Sequence, residues 1–379
     1  MSKSKSSTRA PGAAGRKSMP DHLAARVRTL RRRIDEADAD AMLITHAPDI
    51  RYLTDFPGHD SWLVVSARTV MLISDFRFSE QIDNASPFVR KVIRTGPMAE
   101  ALAEAIGDLS VKTLAFQAEH MTVHARGKLG DKLKGITLKP TSDWLITQRA
   151  VKDKTELRQI RRALALQEQA YAQTLDQIRP GMSESELVTL IEYNMRWIGG
   201  EGPSFNTIVA IGSNGSLPHH EPGRTRVKAN TPILIDFGTK ANGYCSDLTR
   251  VVTMGGFSQK ITDMYRIVAE AQQAAIDAIA PGKTGVEIDR VARTIIEDAG
   301  YGDHFGHGLG HGIGLEIHER PVLSTRSTDT LEDGHVVTVE PGIYLPGIGG
   351  VRIEDDVLVT ARGHRKLSTL PTAMESVVI

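Results

Sequence analysis

Three histidines and five glycines fall within the 15 residues Phe305–Glu319. Histidine is the commonest metal-ligating side chain and an acid or base near neutral pH. Glycine lets a backbone approach a ligand closely and take angles that other residues avoid. Four acids elsewhere supply what such a loop needs to hold cations. Asp236 follows Ile233-Leu234-Ile235, and Asp247 shortly precedes Val251-Val252. Glu340 follows Val336-Val337-Thr338-Val339, and Glu354 follows Val351-Arg352-Ile353. Apolar, β-branched runs of this kind read as buried strands, and a buried carboxylate needs a partner. Four carboxylates and one histidine make a shell for two divalent cations, with the charges in balance. Oxygen-rich ligation favours Mn²⁺, Co²⁺, Fe²⁺ or Zn²⁺ over metals that prefer thiolate.

The elements that must position these acids are two hairpins. Asn242-Gly243 is the strongest short signal for a two-residue hairpin turn. With that turn, residue 236 faces residue 249. Side chains alternate with period two, so Asp247 joins Asp236 on one face as a diagonal neighbour. Acids so clustered repel one another unless cations or protons are taken up. Between Glu340 and Glu354 lie Pro341, Gly342, Pro346, Gly347, Gly349 and Gly350, which again reads as strand, turn, strand. Arg352, two residues before Glu354, shares its strand face and is placed to orient a ligand carboxylate.

The hairpins sit in a repeated frame. Pro180-Gly181-Met182-Ser183-Glu184-Ser185-Glu186 matches Pro281-Gly282-Lys283-Thr284-Gly285-Val286-Glu287. Each holds Ser or Thr followed three residues later by Glu, a capping box that starts a helix. Gly199 and Gly300 each close the helix 19 residues after the proline. A duplicated helix–helix–strand unit, with one acidic hairpin per half, implies a pseudo-twofold site between the halves.

The rest of the chain bounds the function. Its 379 residues suffice for two domains. Lys plus Arg equals Asp plus Glu at 46 each, so the overall charge points to no nucleic acid and no acidic membrane. No apolar run approaches the length of a transmembrane helix. The one cysteine, Cys245, excludes a disulfide framework and fits a reducing, cytoplasmic compartment. With no histidine partner evident it reads as a small buried hydrophobe. Residues 1–19 carry only basic charge and no apolar core, the composition of a disordered tail, or of an organelle transit peptide. Residues 20–150 read as an α/β domain. A helix after Asp21 places Leu23, Val27, Leu30 and Ile34 on one stripe, and Arg26, Arg28, Arg31, Arg32 and Arg33 on a solvated face. Strands are expected at 41–44, 62–65, 70–73 and 113–116, and a helix at 98–106. His46, His59, His120 and His124 share no metal-ligand spacing. At Lys152-Asp153 a long amphipathic helix opens a second domain, residues 151–379.

That second domain resembles the catalytic domain of the pita-bread metallopeptidases, the family of methionine aminopeptidase, aminopeptidase P, prolidase and the metal-free creatinase. The N-terminal domain makes the chain similar to the aminopeptidase P/prolidase branch. The resemblance implies an α+β pita-bread fold with pseudo-twofold symmetry, preceded by a smaller creatinase-type α/β domain. It implies that Asp236, Asp247, His311, Glu340 and Glu354 bind two divalent metal ions, manganese foremost, with Asp247 and Glu354 bridging. His219, His307 and His318 match substrate-contacting histidines, while His220 and His304 match nothing and read as incidental. The implied reaction is hydrolysis of an X-Pro bond by a water held between the ions. Glu340 relays the proton, and His307 and His318 donate to the substrate carbonyl and the oxyanion. The imide nitrogen of X-Pro carries no hydrogen, so peptidases that need that donor cannot use it. By analogy the assembly is a homodimer.

One departure bears on substrate length. Prolidases often carry an arginine four residues after the histidine matching His318, where it can hold a dipeptide carboxylate. Here that position is Val322, and Arg320 lies two residues after His318. The reading is therefore an aminopeptidase of proline-containing peptides. A strict dipeptidase and a non-peptidase hydrolase of a small amide or amidine are the alternatives. A silent binding module would have lost ligands that this chain keeps.

Overall fold

The computed structural model describes residues 18–379 and divides the chain into one compact unit up to Leu145 and another from Ile146. Residues 1–17, nearly all of the expected basic tail, lie outside the described residues.

In the first unit, apolar runs form a six-stranded sheet. Its order is Arg90–Ile93, Val70–Ser74, Trp62–Ser66, Ala41–Ile44, Thr113–Gln117, Thr137–Thr141. The central pairings are antiparallel and the outer ones parallel, with helices packed around them. The helix Asp21–Glu36 buries Leu23, Val27, Leu30 and Ile34 as its periodicity requires. Its basic face is not simply solvated. Arg26 is buried, donates to the Tyr52 carbonyl at 2.7 Å and lies over the Tyr52 ring. Arg31 reaches the Ser66 carbonyl at 2.8 Å. A long aliphatic stem lets a guanidinium cross packed surface to a carbonyl, which helical spacing alone does not reveal. The edge strands Arg90–Ile93 and Thr137–Thr141 escape sequence reading because half-exposed edges carry polar residues.

The second unit is built twice. Its first half runs from the helices Lys154–Leu175 and Glu184–Trp197 to strands Ile208–Ile211, Pro232–Phe237 and Leu248–Thr253. The second half runs from helices Gln259–Ala278 and Gly285–Asp298 to strands Gly310–Gly312, Val336–Val339 and Asp355–Thr360. Sheet order matches: last strand, middle strand, first strand in each half, with Glu319–Leu323 and Gly363–Lys366 added at the edges of the second. In each half a small two-stranded ribbon joins the middle strand to the last, Lys240–Ala241 with Tyr244–Cys245 and Gly342–Leu345 with Gly349–Arg352. This is the pita-bread arrangement with pseudo-twofold symmetry.

Local chemistry explains the repeat. Ser183 with Glu186, and Thr284 with Glu287, form reciprocal capping boxes that fix the second helix of each half. Asp153 with Glu156 does the same for the first long helix. Gly199 and Gly300 have φ of 98° and 82°, a left-handed exit that glycine takes without a Cβ penalty. One apolar core joins both halves, with Leu234, Val251, Val268, Ile288, Val337 and Ile353 all in it.

Candidate metal centre and substrate cavity

The two hairpins meet around a cavity of about 690 Å³. Its lining includes His219, Asp236, Asp247, His307, His311, His318, Glu340, Arg352 and Glu354. In the first hairpin Asn242 and Gly243 both take positive φ, and Asp236 pairs with Thr249. Asp247 therefore falls on the face of Asp236. In the second, Val339 pairs with Asp355 and Gly342 with Arg352, a register that sets Glu340 opposite Glu354. The long pairing is broken there into a main strand pair and a distal ribbon, with both glutamates at the break.

One oxygen from each of Asp236, Asp247 and Glu354 lies within 4.8 Å of the others. Asp236 Oδ1, Asp247 Oδ1 and Glu354 Oε1 are buried and meet no hydrogen-bond donor among the described residues. Buried polar atoms are nearly always paired, so three orphaned acceptors in one place fit a cation. His311 Nε2 stands 3.4 Å from Glu340 Oε1 and 3.8 Å from Asp247 Oδ2. Its Nδ1 faces the Gly312 carbonyl at 3.1 Å. A carbonyl only accepts, so Nδ1 carries the hydrogen and Nε2 turns a lone pair toward the acids. Lone pairs facing lone pairs are what bound cations reconcile. The donor set, carboxylates with one imidazole, suits a hard or borderline divalent ion.

The electrostatics agree. Burial, then the neighbouring acids, raises the Asp247 and Glu354 carboxyls well above the usual range. Burial and Asp236 push Glu340 up to about 8 against the pull of Arg352. Burial lowers His311 to about 4, keeping it neutral.

A hydrogen-bonded chain holds Asp236. Arg352 Nη2 donates to Asp236 Oδ2 at 2.6 Å, Nε to Thr249 Oγ1 at 3.1 Å and Nη1 to the Tyr344 hydroxyl at 2.9 Å. Thr249 Oγ1 donates to Glu354 Oε2 at 2.7 Å. Tyr344 then has one proton to give, and His307 Nε2 lies 2.8 Å away. His307 Nδ1 faces the Gly308 carbonyl at 2.8 Å and must donate there. His307 is thus a neutral ring with both nitrogens engaged, lowered to about 4 by burial and nearby Arg352. In this arrangement it has no hydrogen to offer a substrate, unlike the donor role the resemblance implies.

His318 and His219 are exposed at the rim. His318 packs edge-on against His311, ring centroids 4.4 Å apart. Glu319, its neighbour, is locked by Lys152 at 2.7 Å and by Arg149. Arg293 donates to the carbonyls of Phe305 and His307 at 2.8 Å, and Asp289 accepts from the Leu309 amide, which pins the glycine-rich loop to the helix Gly285–Asp298. A Cβ on Gly310 would lie 2.1 Å from the Thr338 carbonyl, so only glycine allows that strand to sit so close.

Sequence reading missed Tyr344, Thr249, Asp356 (which accepts from the Asp247 amide at 3.3 Å) and Glu184. Tyr and Thr in strands carry no signal until their partners are known. His220, read as incidental, donates to buried Glu184 at 2.9 Å. His304 packs edge-on near Tyr301, and its amide donates to the Tyr301 carbonyl at 2.8 Å. Cys245 is buried, and burial pushes its thiol up to about 12, which rules out a thiolate nucleophile at neutral pH. In the first unit His46, Asp49 and His120 draw together despite their irregular spacing. The two rings stack at 3.7 Å with 3° between planes, so their in-plane lone pairs run parallel rather than converge.

Residues 158–361 match metallopeptidase family M24, and residues 26–151 match the creatinase/prolidase N-terminal domain. The Xaa-Pro dipeptidase of Pyrococcus horikoshii is 32% identical over 337 residues, covering 88% of this chain and 94% of that protein. The structure of an Xaa-Pro dipeptidase from Bacillus anthracis superposes with TM-score 0.89 at 36% identity, over 93% of this chain and 99% of that one. An X-Pro aminopeptidase from Thermotoga maritima superposes with TM-score 0.86 at 37% identity, over 90% and 99%. The chain belongs to metallopeptidase family M24 and carries that family's creatinase/prolidase N-terminal domain. It is a peptidase of a divalent-metal-dependent family and carries candidate metal-ligand groups. Among the described residues no helix is long and apolar enough to cross a membrane.

Proposed function

We propose that this protein is a two-metal exopeptidase that hydrolyses the X-Pro bond at peptide N-termini. The observation that carries the proposal is the convergence of four carboxylates and the bare Nε2 of His311 on one cavity, with three carboxylate oxygens unpaired. Asp236, Asp247, His311, Glu340 and Glu354 would hold the ions. When bound, the ions supply Lewis acidity and an activated water.

The chain's own residues do the rest. Glu340 takes the proton that the water loses and passes it to the leaving nitrogen. His318, exposed at the rim, donates to the oxygen that gains charge. His219, also exposed at the cavity rim, contacts the substrate. Arg352 is committed to Asp236 and fixes which of its oxygens faces the ions. His307 and Tyr344 hold Arg352 in that pose. Manganese as resident ion, a homodimeric assembly and a cytoplasmic location complete the proposal. Metal analysis of the protein as isolated, light scattering and cell fractionation test these three.

The cavity wall supports a reading of substrate length. Val322 lines it, at the chain position where prolidases often carry an arginine. Arg320 is half exposed and pairs with Asp329 at 2.7 Å. With no spare guanidinium among the lining residues, a bidentate grip on a dipeptide carboxylate is missing, and the site suits longer chains. Cleavage of Ala-Pro-Ala at Ala-Pro should run with kcat/KM at least equal to that for Ala-Pro, measured with Mn²⁺ and with Co²⁺. The similarity to Xaa-Pro dipeptidases favours the second reading. Turnover of Ala-Pro with none of Ala-Pro-Ala establishes it and overturns the first.

A further inference from the structure

Glu184 opens the helix Glu184–Trp197 and has no exposed surface. Its carboxylate does not serve the helix. Oε1 accepts from the Ile211 amide and from Asn214 Nδ2, each at 2.8 Å. Oε2 accepts from His220 Nε2 and from the Gly223 amide, each at 2.9 Å. One side chain thus closes both ends of the segment 211–223 and grips its middle. That segment carries His219 to the cavity rim, and Pro218, His220, Glu221 and Pro222 line the cavity beside it. Four donors on two oxygens account for a buried charge at this place. Burial pushes the carboxyl up, yet the bonds from His220, Asn214, Ile211 and Gly223 together hold it below the usual range.

The underside of the segment is fixed as well. A Cβ on Gly350 would lie 1.9 Å from the Gly215 carbonyl oxygen. Backbone therefore rests on backbone, and the ribbon beneath is the one that carries Arg352. The other half of the unit solves the same task with different residues. There Asp289 and Arg293, on the symmetry-related helix, hold residues 305–309 and so place His307.

We infer that Glu184 is a positioning residue for hydrolysis, clamping the segment 211–223 so that His219 meets the substrate. The kinetic part of this inference rests on the X-Pro peptidase reading; the structural part stands apart from it. The experiment is a double-mutant cycle with Glu184→Gln and His219→Ala in the metal-loaded enzyme, assayed on Ala-Pro-Ala. The Glu184→Gln change turns an amide group against two donors. Both single variants should keep two ions, and Glu184→Gln should lower kcat/KM about tenfold or more. In the His219→Ala background the same change should cost less than about twofold. Equal losses in both backgrounds overturn the inference, because the effect would not pass through His219. Should Glu184→Gln fail to fold, His220→Ala removes one of the four bonds and enters the same cycle with the same two outcomes. Amide hydrogen exchange gives a readout free of activity. Exchange across 211–223 should rise about tenfold or more in the variant while the helix Glu184–Trp197 stays protected. Unchanged exchange in 211–223 overturns the clamp. If the wild type cleaves no X-Pro peptide, the functional reading fails and the exchange result alone decides the inference.

Discussion

Replacing Glu319 by glutamine should destabilise the second unit by about 3 kcal/mol at neutral pH, and the loss should fade in acid. The Glu319 side chain is 5% exposed and its partners Arg149 and Lys152 are 3% and 0% exposed. Burial alone would raise the carboxyl, but the Lys152 ammonium and Arg149 guanidinium outweigh it and pull it from 4.5 to about 2. A depressed acid contributes stability above its unfolded value, and that contribution disappears as pH falls through the folded value. The shift corresponds to about 3 kcal/mol at pH 7 and about 2 kcal/mol at pH 3.5. Removing one partner of a buried ion pair costs about 3–5 kcal/mol, which agrees. For a unit of this size the melting point should fall roughly 6–12 °C. The assay is urea unfolding of wild type and variant, both stripped of metal so that pH acts on side chains alone. A gap below about 1 kcal/mol at pH 7, or one that does not narrow by pH 3.5, refutes the reasoning. Lys152→Met should also cost less in the Glu319→Gln background than alone, because the unpaired cation goes with it.

Asp247→Ala and Glu354→Ala should each lose at least one of two bound ions by elemental analysis; full occupancy with activity retained in both removes them from the shell. His318→Ala should keep its metal and lose about 10²–10³-fold in turnover, the usual effect of one oxyanion donor, whereas His311→Ala should lose metal. Equal metal loss in both variants contradicts that division. Glu340 is raised to about 8 in the metal-free protein, so at pH 7 it is mostly protonated. Adding Mn²⁺ at pH 7 should therefore release protons, fewer at pH 9, with affinity rising across that interval. Calorimetry in two buffers of different ionisation heat measures the release, and none at pH 7 rules the reading out.

Much of the site was legible because turn chemistry and strand period are local. Asn242-Gly243 dictates the pairing of Asp236 with Thr249, and period two then carries Asp247 to the same face. The capping boxes at Ser183 and Thr284 formed as their spacing requires. The stripe Leu23, Val27, Leu30, Ile34 is buried for the same kind of reason. Arg26 was misread because a helix pattern tells which way a Cα–Cβ bond points, not where a long side chain ends. His220 was passed over because its partner lies 36 residues away.

The chemistry available can be read from residue order alone: acids on two hairpins, a histidine-rich glycine loop, and a duplicated frame to bring them together. Those are properties of residue type and near-neighbour spacing, where backbone geometry allows few alternatives. Which hydrogens face which lone pairs is set by contacts between distant parts of the chain. Whether His307 donates depends on Tyr344, which stands 37 residues further along and is itself fixed by Arg352. Whether a carboxylate is orphaned or satisfied depends on strands from both halves, as Thr249 shows by reaching Glu354 across 105 residues. Burial sets the proton affinity of Asp247, Glu340 and Glu354, and burial is a sum over the whole fold. No local pattern encodes such a sum.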